Sequence, residues 1–210
     1  MTALRLLAIR HGETAWSREQ RFAGARDVPL TDRGRRQSEA LAAALADTPV
    51  VAVYTSPLER ARASAEAIAR PHRLDVRVEP AFREMAFGAW EGLTREEVAA
   101  SAAGAMETWR QAPDRIVPPG GEALGAVAAR VAEATARLIA THPGATVVLV
   151  SHAIVTRLIV LAALGLGPER LWAVDASPAG VTEIEFQDGW ATVHRMNTLA
   201  HLDALEAAAP

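Results

Sequence analysis

Three short apolar runs, each followed directly or after a loop by helix-forming sequence, constrain this chain more than any other feature. Leu4–Ile9 ends at Arg10-His11-Gly12, Val50–Tyr54 ends at Ser56-Pro57, and Thr146–Val150 ends at Ser151-His152. Runs of five or six aliphatic and β-branched residues suit strands covered on both faces of a sheet. Between them lie helical signals. Thr31 is placed to cap a helix running through Arg35–Ala46, and Pro57 sits at a first helical position before Leu58–Ala69. On that second helix Ala61, Ala65, Ile68 and Ala69 share one face. Leu74–Val78 alternates like a third strand. Thr94 with Glu97 forms a capping-box pattern ahead of a helix to Ala103, and Glu122–Thr141 and Ala153–Leu164 read as two more helices. Gly180–Phe186 and Trp190–Arg195, joined by Gln187-Asp188-Gly189, carry a hairpin signal. This order predicts an α/β fold: a three-layer α/β/α sandwich whose sheet is mostly parallel with an antiparallel edge.

A length of 210 residues suits one domain, 1–210, with enough core to fold without staples. Val117-Pro118-Pro119-Gly120-Gly121 reads as a loop rather than a linker, and only Glu206–Pro210 resembles a disordered tail. Composition removes several chemistries. With no Cys, disulfides, thiol nucleophiles and Cys-ligated metals are excluded. All 22 basic residues are Arg, so Schiff-base chemistry and a Lys-dependent phosphate loop are excluded too. A net charge of −3 without a basic run argues against nucleic-acid partners. No run is long enough for a membrane span and no targeting signal is recognisable, so no membrane partner and a cytoplasmic location are expected.

In a parallel sheet, ligands gather outside the carboxyl ends of the strands. His11 and His152 each end a strand, and Arg60 opens the helix after another. His11 alone reads equally well as a structural histidine. With Arg10, Arg60 and His152 it belongs to a cationic, hydrogen-bond-donating group that calls for an anion, and phosphate fits guanidinium geometry. Gly12 would let the backbone approach that ligand. Glu84 follows the third strand. Alone it reads as a surface carboxylate paired with Arg83; beside a phosphate it can hold a proton and deliver it to a leaving alkoxide.

These segments resemble the histidine phosphatase superfamily, also called phosphoglycerate mutase-like. Arg10-His11-Gly12-Glu13-Thr14 is similar to its defining motif, and Leu30–Gln37 to its first helix opening. Ser56–Ala61 resembles its second Arg motif, Arg83–Gly92 its acid-donor segment, and Pro119–Glu122 and Ser151-His152 also fit. The resemblance spans nearly the whole chain and implies a covalent mechanism. His11 would attack phosphorus, Arg10, Arg60 and His152 would hold the phosphoryl oxygens, and Glu84 would act as acid and then base. Neither a metal nor another cofactor is implied. His11 would use one ring nitrogen while the other donates to a backbone carbonyl.

Ser17 stands where the family often has Asn and would donate to phosphate; Ala153 replaces the usual Gly after the second His, and its N–H remains a donor. A substrate cap is expected at about 82–119, with Trp90, Trp109, Met85 and Met106 giving a partly apolar pocket. The short chain favours a phosphatase acting on a small phosphorylated metabolite over a bisphosphoglycerate-dependent mutase. In the mutase, Arg95 would replace a Lys and Arg110 would be the survivor of an Arg pair. A silent phospho-ligand-binding module is the third reading. Arg21 and Arg26 would steer an anion or simply face solvent. His72 is expected in a loop, His142 at a helix end where the dipole favours it, and His194 on the exposed hairpin; His201 has no assigned role. Oligomeric state is not legible, with a homodimer one option.

Overall fold

The computed structural model describes residues 3–203 and residue 205, so the 206–210 tail lies outside the described residues. Six strands form one sheet: β1 (Leu4–Arg10), β2 (Val50–Thr55), β3 (Val76–Val78), β4 (Thr146–Ser151), β5 (Val181–Gln187) and β6 (Trp190–Thr198). Their order is β3-β2-β4-β1-β5-β6. The first four in that order run parallel, and β5 and β6 add the antiparallel edge. Among the described residues these α-helices accompany them: α1 (Ala15–Arg18), α2 (Asp32–Leu45), α3 (Glu59–His72), α4 (Arg95–Ser101), α5 (Ala105–Gln111), α6 (Leu124–Thr141) and α7 (Ala153–Ala163).

The two-residue period of a strand divides the core in two. Leu4, Leu6 and Ala8 of β1 and Val147 and Leu149 of β4 pack with Val131 and Leu138 of α6 and Val155 and Ile159 of α7. Leu7, Ile9, Val148 and Val150 point the other way, onto Leu41 of α2 and Ala61, Ala65 and Ile68 of α3. Each such side chain taken fully from water contributes about 1.5–3 kcal/mol. Helices therefore cover both faces, which makes the three layers. The 82–119 segment sends Phe82, Met85, Phe87, Trp90 and Trp109 into the first of these clusters.

Several boundaries differ from expectation, each for a local reason. Pro57 precedes α3 instead of opening it. Ser56 Oγ accepts from Leu58 N at 3.1 Å and Leu58 stays extended, so the helix begins at Glu59. At its other end α3 runs through Pro71 to His72, which is helical rather than in a loop. A final turn tolerates the missing Pro N–H better than a helix interior does. Arg73 closes the helix in the left-handed region (φ 57°), and Leu74 N returns to Ala69 O. That leaves only Val76–Val78 to pair with β2, so β3 is shorter than the alternation suggested. Glu122 lies ahead of α6, engaged elsewhere. Thr31 and Thr94 cap α2 and α4 as expected, the latter with the reciprocal Glu97 bond.

Gly12 and Gly34 face each other where the loop after β1 crosses the start of α2. A Cβ on Gly12 would run into Gly34 O, and one on Gly34 into Glu13 O. Ser38 Oγ donates to Gly34 O (2.9 Å) and lies 2.9 Å from Ser64 Oγ, which accepts from Gly12 N (3.1 Å). Gly34→Ala adds roughly 1 kcal/mol of helix propensity but sets a methyl group against backbone that no rotamer change can clear, at a cost of about 1–3 kcal/mol or more. The expected outcome is a lower urea midpoint than wild type; an unchanged or raised midpoint would contradict the crossing described.

Candidate active site

The carboxyl ends of β1, β2 and β4 open together, and the chemistry-bearing residues collect there. His11 follows β1, Arg60 lies in the first turn of α3, and His152 caps α7 directly after β4. The two imidazole centroids are 5.2 Å apart. His11 Nδ1 lies 2.7 Å from Gly12 O. A carbonyl only accepts, so Nδ1 carries the hydrogen and Nε2 presents its lone pair. Arg60 Nε donates to that Nε2 at 3.2 Å. The His11 pKa lies well below 6.5, first because the ring is buried and then because Arg60 and Arg10 stand beside it.

Arg60 is itself buried, and the loop after α1 holds its guanidinium: NH1 donates to Arg26 O (2.6 Å) and NH2 to Gly24 O (2.9 Å). Arg10 donates to Ala176 O at 2.7 Å, while its Nε finds no hydrogen-bond partner among the described residues. Burial lowers the Arg10 pKa to about 10, so it remains a cation at neutral pH. His152 Nε2 lies 2.7 Å from Ser56 Oγ. That oxygen also accepts from Leu58 N. His152 Nδ1 is buried without a protein partner. Burial, then Arg60, His11 and Arg10, hold the His152 pKa well below 6.5.

Glu84 faces this group and is only 7% exposed. One carboxylate oxygen accepts from Met85 N (2.9 Å), the other from Ile154 N (3.3 Å). Burial raises its pKa above the usual value against the opposing pull of those N–H groups, Arg60 and Arg10. Arg83 is not its partner. Arg83 pairs with Glu122 (2.8 Å), which also takes Arg130 (3.1 Å) and the N–H of Ala86 (2.9 Å). Arg130 in turn donates to the carbonyls of Ala81, Arg83 and Glu84. This clamp fixes the backbone that carries the Glu84 carboxylate. Beside it, Gly88 (φ 52°) leaves room for Pro119 O, which a Cβ there would strike.

The cleft above these groups holds about 300 Å³. It reaches Ser17, Arg21, Arg95 and Ala153, as expected. Their engagements differ. The Ser17 hydroxyl donates to Thr14 O (2.9 Å) and accepts from Thr14 N (2.8 Å), so its proton is already used in capping α1. Arg21 is tied to Glu97 (2.8 Å), Glu19 (3.0 Å) and Gly92 O (2.7 Å) and anchors the base of the 82–119 segment. Arg95 is exposed and makes no ion pair among the described residues. Gly12 spends its N–H on Ser64 and its open side on Gly34, not on a ligand. Of the four apolar residues expected at a pocket, Met85 and Trp90 are core, while Trp109 and Met106 reach cavities. Arg26 is exposed and faces Glu91 at 3.4 Å. His142 bonds Tyr54 OH (2.9 Å), and burial and Arg77 lower its pKa, so a charged histidine at the helix end is not the explanation. His194 is exposed against Glu185. His201 lies in a 3-10 turn, its pKa lowered by burial.

Residues 6–199 match the histidine phosphatase superfamily (branch 1). The chain belongs to that superfamily. It is 37% identical over 203 residues to a bifunctional protein of Mycobacterium tuberculosis, covering 96% of this chain but 56% of that protein. The chain thus spans little more than half the length of this curated relative. Phosphoserine phosphatase 1 of Hydrogenobacter thermophilus is 30% identical over 199 residues, 95% of this chain and 94% of that one. Among solved structures, a mycobacterial glucosyl-3-phosphoglycerate phosphatase complexed with VO3 superposes with a TM-score of 0.86 at 31% identity, over 93% of this chain and 99% of that chain.

The cleft is also lined by Arg157, Trp172 and Asp175, none of which the sequence reading found. Arg157 was within reach of it: it lies four residues after Ala153, on the same face of α7. Trp172 and Asp175 come from the irregular segment before β5 and carry no periodic signal. Among the described residues no group of three or more His, Asp or Glu could hold a metal ion, and no helix is long and apolar enough to cross a membrane.

The two buried histidines make the largest histidine contribution to the pH dependence of stability, with His142 and His201 acting in the same sense. Between pH 6.5 and their lower folded values, the unfolded chain binds protons that the folded chain does not. Stability therefore falls with pH, by up to about 1.4 kcal/mol per unit for each ring. Glu84 works in the opposite sense but holds at most one proton against two. Urea midpoints in phosphate-free buffer are expected to drop from pH 7.5 to 5.5, and His152→Gln to remove about half of the slope. A flat profile would show that the rings are not buried neutral.

Proposed function

We propose that this histidine phosphatase hydrolyses phosphomonoesters through a phosphohistidine on Nε2 of His11. The observation that carries the reading is the fixed tautomer of His11, its Nε2 lone pair facing Arg60 with the buried Glu84, whose pKa burial raises, across the cleft. Nε2 attacks phosphorus as the ester P–O bond breaks, and the Glu84 proton goes to the departing alkoxide. Arg10, Arg60 and His152 meet the charge on the equatorial oxygens. Water then attacks phosphorus, Glu84 takes its proton, the P–N bond breaks, and inorganic phosphate leaves with His11 neutral again.

The substrate in this reading is a small phosphorylated metabolite, and residues 82–119 cap it within a single domain. Relatives named for phosphoserine and glucosyl-3-phosphoglycerate support that size class. We assign no nucleic-acid or membrane partner and place the reaction in the cytoplasm, where such metabolites lie. Among the expected contacts, Ala153 and Arg95 remain available at the cleft wall. The mutase reading is weaker. Arg110, which it needs for a substrate carboxylate, is forked on Glu107 (2.7 and 3.1 Å).

The test is turnover. Wild type should release phosphate from p-nitrophenyl phosphate, and His11→Ala should cut this roughly 10³-fold or more. Glu84→Gln should cost about 10²-fold more on an alkyl phosphate than on the nitrophenyl ester, whose leaving group needs no proton. With 3-phosphoglycerate and trace 2,3-bisphosphoglycerate, phosphate should appear without 2-phosphoglycerate. Rapid isomer formation would establish the mutase, and inertness on every ester would leave the binding module.

A further inference from the structure

Beyond the phosphate end, the cleft meets a second, smaller chamber of about 110 Å³. Its walls are Met106, Trp109, Trp172 and the stems of Arg95 and Arg110. Arg95, Trp109 and Trp172 line both spaces, so the chamber adjoins the cleft along that wall. The wall is built rather than incidental. Trp172 donates its indole N–H to Trp109 O at 2.9 Å, meets the Trp109 ring edge-on with centroids 5.5 Å apart, and carries the Arg157 guanidinium 5.0 Å above its face. An indole that is 36% exposed is thereby held in one orientation, with apolar surface left for a ligand to cover. Nothing in the phosphoryl-transfer steps uses this space.

We infer that the chamber is a subsite for the alcohol portion of the substrate, and that the preferred esters carry a compact apolar or aromatic group there. This rests on the phosphatase reading and names its substrate class. An apolar cavity of about 150 Å³ accepts a benzene ring, so this smaller chamber beside the cleft suits a compact group no larger than such a ring. Apolar walls select for such a group, while a polyhydroxylated one would leave its hydroxyls without partners. Arg95, unpaired at the shared rim, can lay its stem along the ligand and keep its charge in water.

The test compares esters whose leaving groups are equally basic: propyl, hexyl and 3-phenylpropyl phosphate, with glycerol 3-phosphate as the hydrophilic counterpart. On wild type, kcat/KM should rise roughly 10–100-fold from propyl to hexyl and 3-phenylpropyl. Met106→Trp, which fills the chamber without touching the phosphate end, should abolish that gain and leave propyl turnover unchanged. Equal turnover of all four esters would overturn the inference while leaving the phosphatase reading intact. A gain that survives Met106→Trp would overturn the placement in this chamber. Should that variant lose propyl turnover as well, Met106→Ala decides: it must increase the preference for 3-phenylpropyl over hexyl, and failure to do so overturns the subsite. If no ester is hydrolysed, the phosphatase reading fails and the subsite falls with it.

Discussion

The buried guanidinium of Arg60 is the constraint on which the site depends. A cation this enclosed is costly unless every N–H is used and opposite charge is near. One N–H of its NH1 goes to the carbonyl of Arg26 and one of its NH2 to that of Gly24, its Nε points at His11, and Glu84, Asp27 and Glu91 lie near enough to act on its charge. Satisfying one side chain thus draws the loop after α1, the end of β1 and the acid segment to a common point. Burial first, and then the same cation, lower the pKa of both His11 and His152.

The acid side is organised by a different device, working through backbone. Glu122 and Arg130 bind carbonyls and an N–H on both sides of Glu84 without touching its carboxylate. The Glu84 carboxyl group can therefore stay buried and face the cleft while its main chain is fixed. Close approach of Gly88 to Pro119 and of Gly121 to Ala86 brings the two loops near enough for this.

Much of this was legible in the sequence because strand ends and helix starts are local signals. His11, Arg60 and His152 could be placed at one edge from the apolar runs before them, and the Thr31 and Thr94 caps from residue type alone. What escaped was non-local. Ser17 looked free to meet a ligand until the capping of α1 claimed its hydroxyl. Gly12 looked like a ligand-facing glycine until it met Gly34, 22 residues away in sequence. Glu122 looked like the start of a helix, although its partners lie on another loop. Met85 and Trp90 were core rather than pocket because the 82–119 segment shares the main hydrophobic cluster instead of sitting on top of it.

Strand order carries a further consequence, for the way the chain is made. β1 lies between β4 and β5, with Leu4 opposite Phe186 and Arg10 opposite Ser151. Both neighbours are encoded well over a hundred residues after it. During synthesis from the amino terminus, the strand that bears His11 must wait without either hydrogen-bonded edge until β4 and β5 have emerged. Such long-range pairing slows folding and leaves an apolar strand exposed meanwhile. Phosphate-binding geometry is consequently among the last features to form, and its appearance reports that the whole sheet has closed.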